Sequence, residues 1–254
     1  MKTHSLILFV ILFSTTSFSC EMVVFGNNSK PPKNYNDHSG HPKGILVEMM
    51  YQLEKPLRCT FHIVLYPWKR AYHQAANGEG AIIGLSKTTE RLEVFDYSDV
   101  MYYETLVLVT RSDRTFSFGN VNDLKGKTLG IVRGASYGDE FEEATHSGLF
   151  KIIELSSPSQ RLKMLIRGRI DAVLMGGPGR EALDRVLQRD SYLEQYQDKF
   201  TVLPQPFKED PNYLGLAKKP GNKAFLKRFN QALQQARSND TFNKIIRKYQ
   251  NSSH

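Results

Sequence analysis

Short apolar runs alternate with amphipathic stretches from residue 22 onward, and the same alternation begins again at residue 128. This restricts the 254-residue chain to a narrow set of folds. Residues 22–25, 61–65 and Ala81–Leu85 have the length and side chains of buried strands. Between them, residues 45–55 carry apolar positions at helical spacing up to Pro56, and Trp68–Ala76 reads as a helix closed by Asn77-Gly78. The second half repeats the order: a strand at Thr128–Val132, a glycine turn, a helix from Tyr137 and a strand at 152–155. A helix over 156–168 follows, with Pro158 in its first turn, then a strand over 170–175 broken by Gly176-Gly177-Pro178-Gly179. Such alternation demands mostly parallel sheets with helices on both faces, an α/β class. The β-prone run 106–110 reads as a first crossover between two such units, and 200–203 and 213–217 bracket the return. Residues 222–237 and 240–249 finish as two amphipathic helices, with Phe225, Phe229, Leu233, Phe242, Ile245, Ile246 and Tyr249 inward.

Directly after Ala81–Leu85 comes Ser86-Lys87-Thr88-Thr89-Glu90-Arg91, and soon after it Phe95-Asp96-Tyr97-Ser98-Asp99. Open α/β sheets collect ligands at the carboxyl ends of their strands, where this polar cluster falls. A guanidinium there is suited to a carboxylate, because its planar fork donates two parallel charge-assisted hydrogen bonds.

The pattern S-x-T-x-E-R followed by F-D-Y-S resembles bacterial extracytoplasmic solute-binding proteins of family 3, the amino-acid-binding type. Other pieces fall in that family's order: Pro31-Pro32 and Tyr35, Gly44-Ile45-Leu46-Val47-Glu48, Pro67-Trp68-Lys69-Arg70, and Asp123-Leu124-Lys125-Gly126-Lys127. Gly134-Ala135-Ser136-Tyr137 and Gly168-Arg169-Ile170-Asp171-Ala172 continue it. The resemblance implies a two-lobed periplasmic-binding-protein type II fold whose lobes are joined by two hinge crossings, with the ligand between them. Residues 20–109 plus 206–254 would form lobe one, and 110–205 lobe two. By the same resemblance Arg91 pairs the ligand carboxylate, Ser86 and Thr88 add hydrogen bonds, and Gly84 brings backbone close to the ligand. Tyr35 and Trp68 would wall the ligand side chain. The backbone amides of Gly134, Ala135 and Ser136 would receive the carboxylate at a helix start, although Ala135 replaces a hydroxyl of the family pattern. Arg70 either adds a second anionic contact or ties its helix to the lobe.

One departure bears on the ligand. Amino-acid binders of this family place an aspartate five residues after the one matched by Asp171, to hold the ligand ammonium; here that position is Gly176. Either another carboxylate from Glu48, Glu140 or Asp139 takes over, or the ligand is not an α-amino acid, because a buried ammonium without an acid is costly.

The first 19 residues read as an export signal: Lys2, an apolar core over 6–13, and Ser17-Phe18-Ser19 before cleavage. Export implies a periplasmic protein. Cys20 reads either as a lipidated cysteine or as half of a disulfide with Cys59. Ser17 and Phe18 stand where lipidation wants Leu and a small residue, so the disulfide is favoured. The formal charge of +8 is scattered rather than gathered in a stripe, which argues against nucleic acid. Neither a cofactor nor a metal motif is present. The expected protein is a monomeric binder of a small carboxylate-bearing solute, serving an ABC permease or a membrane sensor. The alternatives are a dehydratase-type enzyme on the same scaffold, with Glu48, Glu140 or His146 as its acid, and a diverged partner protein.

Overall fold

The computed structural model describes residues 20–177 and 179–251. The export segment therefore lies outside the described residues. The chain opens with strand β1 (Cys20–Asn27), followed by three short strands, β2 (Ser29–Lys30), β3 (Asn34–Asn36) and β4 (Pro42–Lys43), that pair as a small sheet of their own. Helix α1 (Ile45–Leu57) buries Ile45, Leu46, Met49, Met50 and Leu53. It contains Pro56 in its last turn instead of stopping before it; Arg58 closes the helix in the left-handed region (φ 51°) with its amide on Glu54 and Lys55 carbonyls. At the last turn the missing proline N–H forfeits one bond of a fraying end. Strand β5 (Cys59–Tyr66), helix α2 (Trp68–Ala76) and strand β6 (Ala81–Leu85) complete the first run. A six-residue helix α3 (Thr89–Val94) and strand β7 (Phe95–Tyr97) lead to the ten-residue strand β8 (Tyr102–Arg111).

The second run is β9 (Thr128–Val132), α4 (Asp139–His146), β10 (Lys151–Leu155), α5 (Pro158–Ile166), β11 (Ala172–Gly176), α6 (Gly179–Leu187), α7 (Ser191–Glu194) and β12 (Phe200–Val202). Ser157 caps α5 by accepting from the Gln160 amide, with Pro158 in the first turn as its fixed φ favours. The return strand β13 (Lys208–Ala217) and helices α8 (Asn222–Ser238) and α9 (Thr241–Asn251) finish the described chain.

Among the described residues the main sheet runs β10-β9-β11-β8-β13-β6-β1-β5, with β12 on β8 and β7 on β13. In both halves three parallel strands follow the order second-first-third, and one antiparallel crossing strand borders the third. The crossing strands β8 and β13 pair with each other only over 102–106 and 208–212. Beyond that ladder, β8 pairs into the second half through 106–110 and β13 into the first through 213–217. Leu106 to Val109 accordingly pack in second-half apolar clusters, while Leu214 and Leu216 pack in a first-half one. The result is a two-lobed α/β fold joined by one antiparallel ribbon.

Helices α8 and α9 cover the first lobe. Phe229, Leu233, Phe242 and Ile245 are buried there, with Phe225, Ile246 and Tyr249 packed around them. Cys20 and Cys59, register partners at the start of β1 and β5, are joined by a disulfide. It closes a loop with a sequence separation of 39, worth about 4 kcal/mol by chain entropy.

Candidate functional site

The carboxyl ends of β1, β6, β9 and β11 converge where the lobes meet. On the first lobe, Gly84 is the extra residue of a bulge in β6: Tyr213 faces Leu85 and Leu214 faces Ile83, so Gly84 has no partner on β13. Its φ of +76° suits glycine, and a Cβ there would press on Leu46 at 3.3 Å. The bend delivers Ser86, Thr88 and Arg91 together. Thr88 is the N-cap of α3, its hydroxyl accepting from the Arg91 amide at 3.2 Å, which sets where the Arg91 side chain leaves the helix. Arg91 is only 5% exposed. One guanidinium nitrogen donates to the Ser86 carbonyl at 3.3 Å, and the guanidinium carbon lies 5.8 Å from the centroid of the Trp68 ring and 5.2 Å from that of the Tyr72 ring. Among the described residues no carboxylate forms an ion pair with it. The F-D-Y-S segment secures this corner: β7 pairs with β13, and the Ser98 hydroxyl accepts from the Leu214 amide at 3.0 Å.

A second group comes from the ribbon and the loop before β3. Lys33 is buried (4% exposed) because the first amides of α1 hold this loop, Ile45 donating to the Pro32 carbonyl at 2.9 Å and Leu46 to the Lys33 carbonyl at 3.0 Å. Its ammonium meets Glu104 of β8 and donates to Asn212 Oδ1 at 2.7 Å. Lys30 lies 3.7 Å from the same Glu104 carboxylate. Burial opposes ionisation of Glu104, but Lys30 and Lys33 together hold its carboxyl below the usual range. Burial pulls Lys33 below the ordinary lysine value, with Glu104 opposing. Asp210 of β13 accepts from the Ser86 hydroxyl at 2.6 Å and pairs with Lys208 at 3.2 Å.

Glu104 also resolves the departure at Gly176. A Cβ built on Gly176 would stand 1.9 Å from Glu104 Oε1 and 2.5 Å from its Cδ. The glycine is there because a glutamate from the neighbouring strand fills its side-chain space. The acids expected to substitute do not do so. Glu48 binds Lys248 and the Tyr249 hydroxyl on another face, Asp139 is exposed and binds Thr89, and Glu140 is exposed.

On the second lobe, two of the three amides expected to receive a carboxylate are already bonded. Gly134 donates to Glu154 at 2.7 Å and Ala135 to the Val132 carbonyl at 3.0 Å. Helix α4 starts at Asp139 rather than Tyr137 and carries Asp139, Glu140 and Glu142 in its first turn, so its positive end is answered internally. The lobes touch through Trp68, whose Nε1 donates to the Gly134 carbonyl at 3.0 Å, and through Thr89, whose hydroxyl donates to Asp139 at 2.8 Å.

The structure thus gathers Gly84, Ser86, Arg91, Trp68, Ala135 and Ser136 around one cavity of about 20 Å3. That is room for one water, so seating a solute requires the lobes to spread. Thr88 opens on an adjoining groove with Arg91 and Ala135, and Gly176 borders a neighbouring chamber. Tyr35 and Arg70 are elsewhere. Tyr35 lines an outer groove and lies 5.5 Å from the Arg189 guanidinium, because the short β3 turns it away from Arg91. Arg70 is exposed over the Tyr66 ring at 3.9 Å, so it braces its own helix. Sequence reasoning missed Lys30, Lys33, Asn34, Tyr137 and Asp210 of the cavity wall, and Glu104 and Asn212 behind it. The buried Asn34 Oδ1 has no hydrogen-bond partner among the described residues.

Residues 22–252 match the family model of bacterial extracellular solute-binding proteins, family 3. The chain belongs to this family. It is 27% identical over 171 residues to the ABC transporter arginine-binding protein 1 of Escherichia coli (strain K12), a match covering 66% of this chain and 64% of that relative. An ancestral arginine-binding protein bound to arginine shares the fold, with a TM-score of 0.72 and 22% identity over 90% of this chain and 97% of the other. A histidine kinase sensor domain with similarity to periplasmic binding proteins gives a TM-score of 0.76 at 19% identity, covering 90% and 95%. The first two of these are binding proteins and the third is a sensor domain similar to them, and the family is extracytoplasmic. No helix among the described residues is long and apolar enough to cross a membrane.

Proposed function

We propose that the chain is exported and captures a small carboxylate-bearing solute between its lobes, without turning it over, for delivery to an ABC permease or a membrane sensor. The observation that carries this reading is Arg91: a buried guanidinium at the carboxyl end of a strand, facing the other lobe, without a carboxylate partner among the described residues. Burying an unanswered cation is costly, and a ligand carboxylate would answer it with two parallel hydrogen bonds. The crossing ribbon is the natural hinge, and Trp68 and Thr89 are the contacts that opening would release. Of the acids considered for catalysis, Glu48 and Glu140 line neither the Arg91 cavity nor the groove beside it, and only His146 lines that groove, which favours capture over chemistry.

The test is thermal unfolding of the purified protein against a panel of small carboxylates and amino acids. A ligand at 100 times its dissociation constant should add about 2.7 kcal/mol of stability. Arg91→Ala should weaken that ligand about 10- to 100-fold, the worth of hydrogen bonds to a charged group. A ligand whose affinity ignores Arg91→Ala would move the site elsewhere.

A further inference from the structure

Arg161 of α5 stands behind the cavity just described, in a second chamber of about 30 Å3 that it lines with Lys30, Tyr137, Pro158 and Gly176. The two chambers share Lys30, Val132 and Tyr137 as walls, so they adjoin each other in the interlobe space. Arg161 is only 3% exposed. One guanidinium nitrogen donates to the Leu155 carbonyl at 3.0 Å, while its buried Nε has no hydrogen-bond partner among the described residues. Among the described residues no carboxylate forms an ion pair with it. Burial pulls its pKa down, and the Tyr137 hydroxyl is what opposes that. An arginine nevertheless keeps its charge.

The charges around this space can be assigned one by one. Four cations line it: Lys30, Lys33, Arg91 and Arg161. Two carboxylates lie against it. Glu104 is taken by Lys30 and Lys33, and Asp210 by Lys208 and Ser86. What remains are two guanidiniums, one in each chamber, each lacking an acid. An incoming ammonium finds no such welcome, because the one acid near Gly176 is already held by two lysines that would repel it.

We infer that the ligand is a small dicarboxylate, one carboxylate held by Arg91 in the first chamber and the other by Arg161 in the second. This rests on the solute-capture reading and narrows it. The Asn34 Oδ1, beside Gly84 in the first chamber and without a partner among the described residues, would accept from a hydroxyl carried next to the first carboxylate.

The experiment is titration calorimetry of the purified wild-type protein with the straight-chain dicarboxylates from malonate to pimelate, each against its own monoamide. L-Glutamate against L-glutamine, and L-arginine, complete the set. Each pair keeps shape and removes one charge. The expected result is that at least one dicarboxylate binds 10-fold or more tightly than its monoamide. Arg161→Gln should shrink that ratio below about 3-fold while leaving the monoamide's affinity nearly unchanged. If Arg161→Gln fails to fold, the wild-type ratio alone decides. Equal binding of dicarboxylate and monoamide, or binding of L-arginine or L-glutamine in preference to every dicarboxylate, overturns the two-anion site and leaves solute capture standing. Binding of nothing in the set overturns both.

Discussion

Substituting Gly176 by alanine adds a single methyl group, yet it should disturb the most deeply buried ion pair among the described residues. The new Cβ would stand 1.9 Å from Glu104 Oε1 and 2.5 Å from Glu104 Cδ. The carboxylate must withdraw by about 1.5 Å or more to reach ordinary van der Waals separation. A free glutamate would swing aside at little cost, but this one is 3% exposed and held by Lys33 and Lys30. Its withdrawal leaves the Lys33 ammonium, 4% exposed, with Asn212 as its remaining hydrogen-bond acceptor. Breaking one side of a buried pair costs about 3–5 kcal/mol, a large share of the 5–15 kcal/mol of a typical protein. Urea unfolding of wild type, Gly176→Ala, Glu104→Ala and the double variant isolates the cause. Each single variant should lose about 3–5 kcal/mol. With Glu104 already gone, the added methyl group should cost less than about 1 kcal/mol, giving a coupling of 2 kcal/mol or more between the two positions. A Gly176→Ala protein within about 0.5 kcal/mol of wild type, or strictly additive losses, would refute the argument that Glu104 occupies the space of residue 176.

Three further outcomes are expected. Thr88→Ala removes the N-cap of α3 and should cost about 1 kcal/mol in urea unfolding; because the same hydroxyl sets the Arg91 backbone, ligand affinity should fall as well, whereas Thr88→Ser should restore both. Cys59→Ser opens the loop between β1 and β5 and should cost about 3–4 kcal/mol, read as a lower urea midpoint, with the reduced wild type behaving alike. Trp68→Phe keeps the apolar wall but loses the hydrogen bond to the Gly134 carbonyl, so solution scattering should show a larger radius of gyration without ligand and little change with saturating ligand.

The scaffold was legible because its signals are local. Apolar runs such as Ala81–Leu85 and Thr128–Val132 are strands fully inside a sheet, and Ser157-Pro158 marks a helix start by its own chemistry. Helix α3 escaped notice because six residues contain too few turns for periodicity to register. Arg91 could be read from its place after a buried strand. Glu104 could not: it lies within a ten-residue strand, between Tyr103 and Thr105, and its partner Lys33 is 71 residues away. A buried charge inside a strand betrays itself only when the pairing is known. Arg161 was hidden for the same reason, since on α5 it occupies an ordinary helical position, and only the packing of β9 and β11 shows that it points away from solvent. Tyr35 misled because a three-residue strand leaves its facing to the loops around it.

The exchange of an acid between strands changes what the cleft can select. A carboxylate at the tip of β11 would stand alone in the second lobe and would favour any ligand that brings a positive charge to it. Glu104 instead belongs to the crossing ribbon and is neutralised by lysines that the first lobe supplies. A satisfied acid offers an ammonium nothing, since that ammonium would have to displace Lys30 or Lys33 and leave it buried without its counter-charge. The unanswered charges at the interface are positive, and they sit on opposite lobes: Arg91 beyond β6 and Arg161 on α5. A ligand with an anionic group at each end would then do two things at once. It would satisfy both guanidiniums, and it would bridge the lobes, so that the energy of the second ion pair is available only when they close. A ligand with one anionic group could satisfy either arginine while leaving the other uncompensated in the closed cleft. The same charges that set the chemical class of the ligand therefore also set which ligands can hold the lobes together.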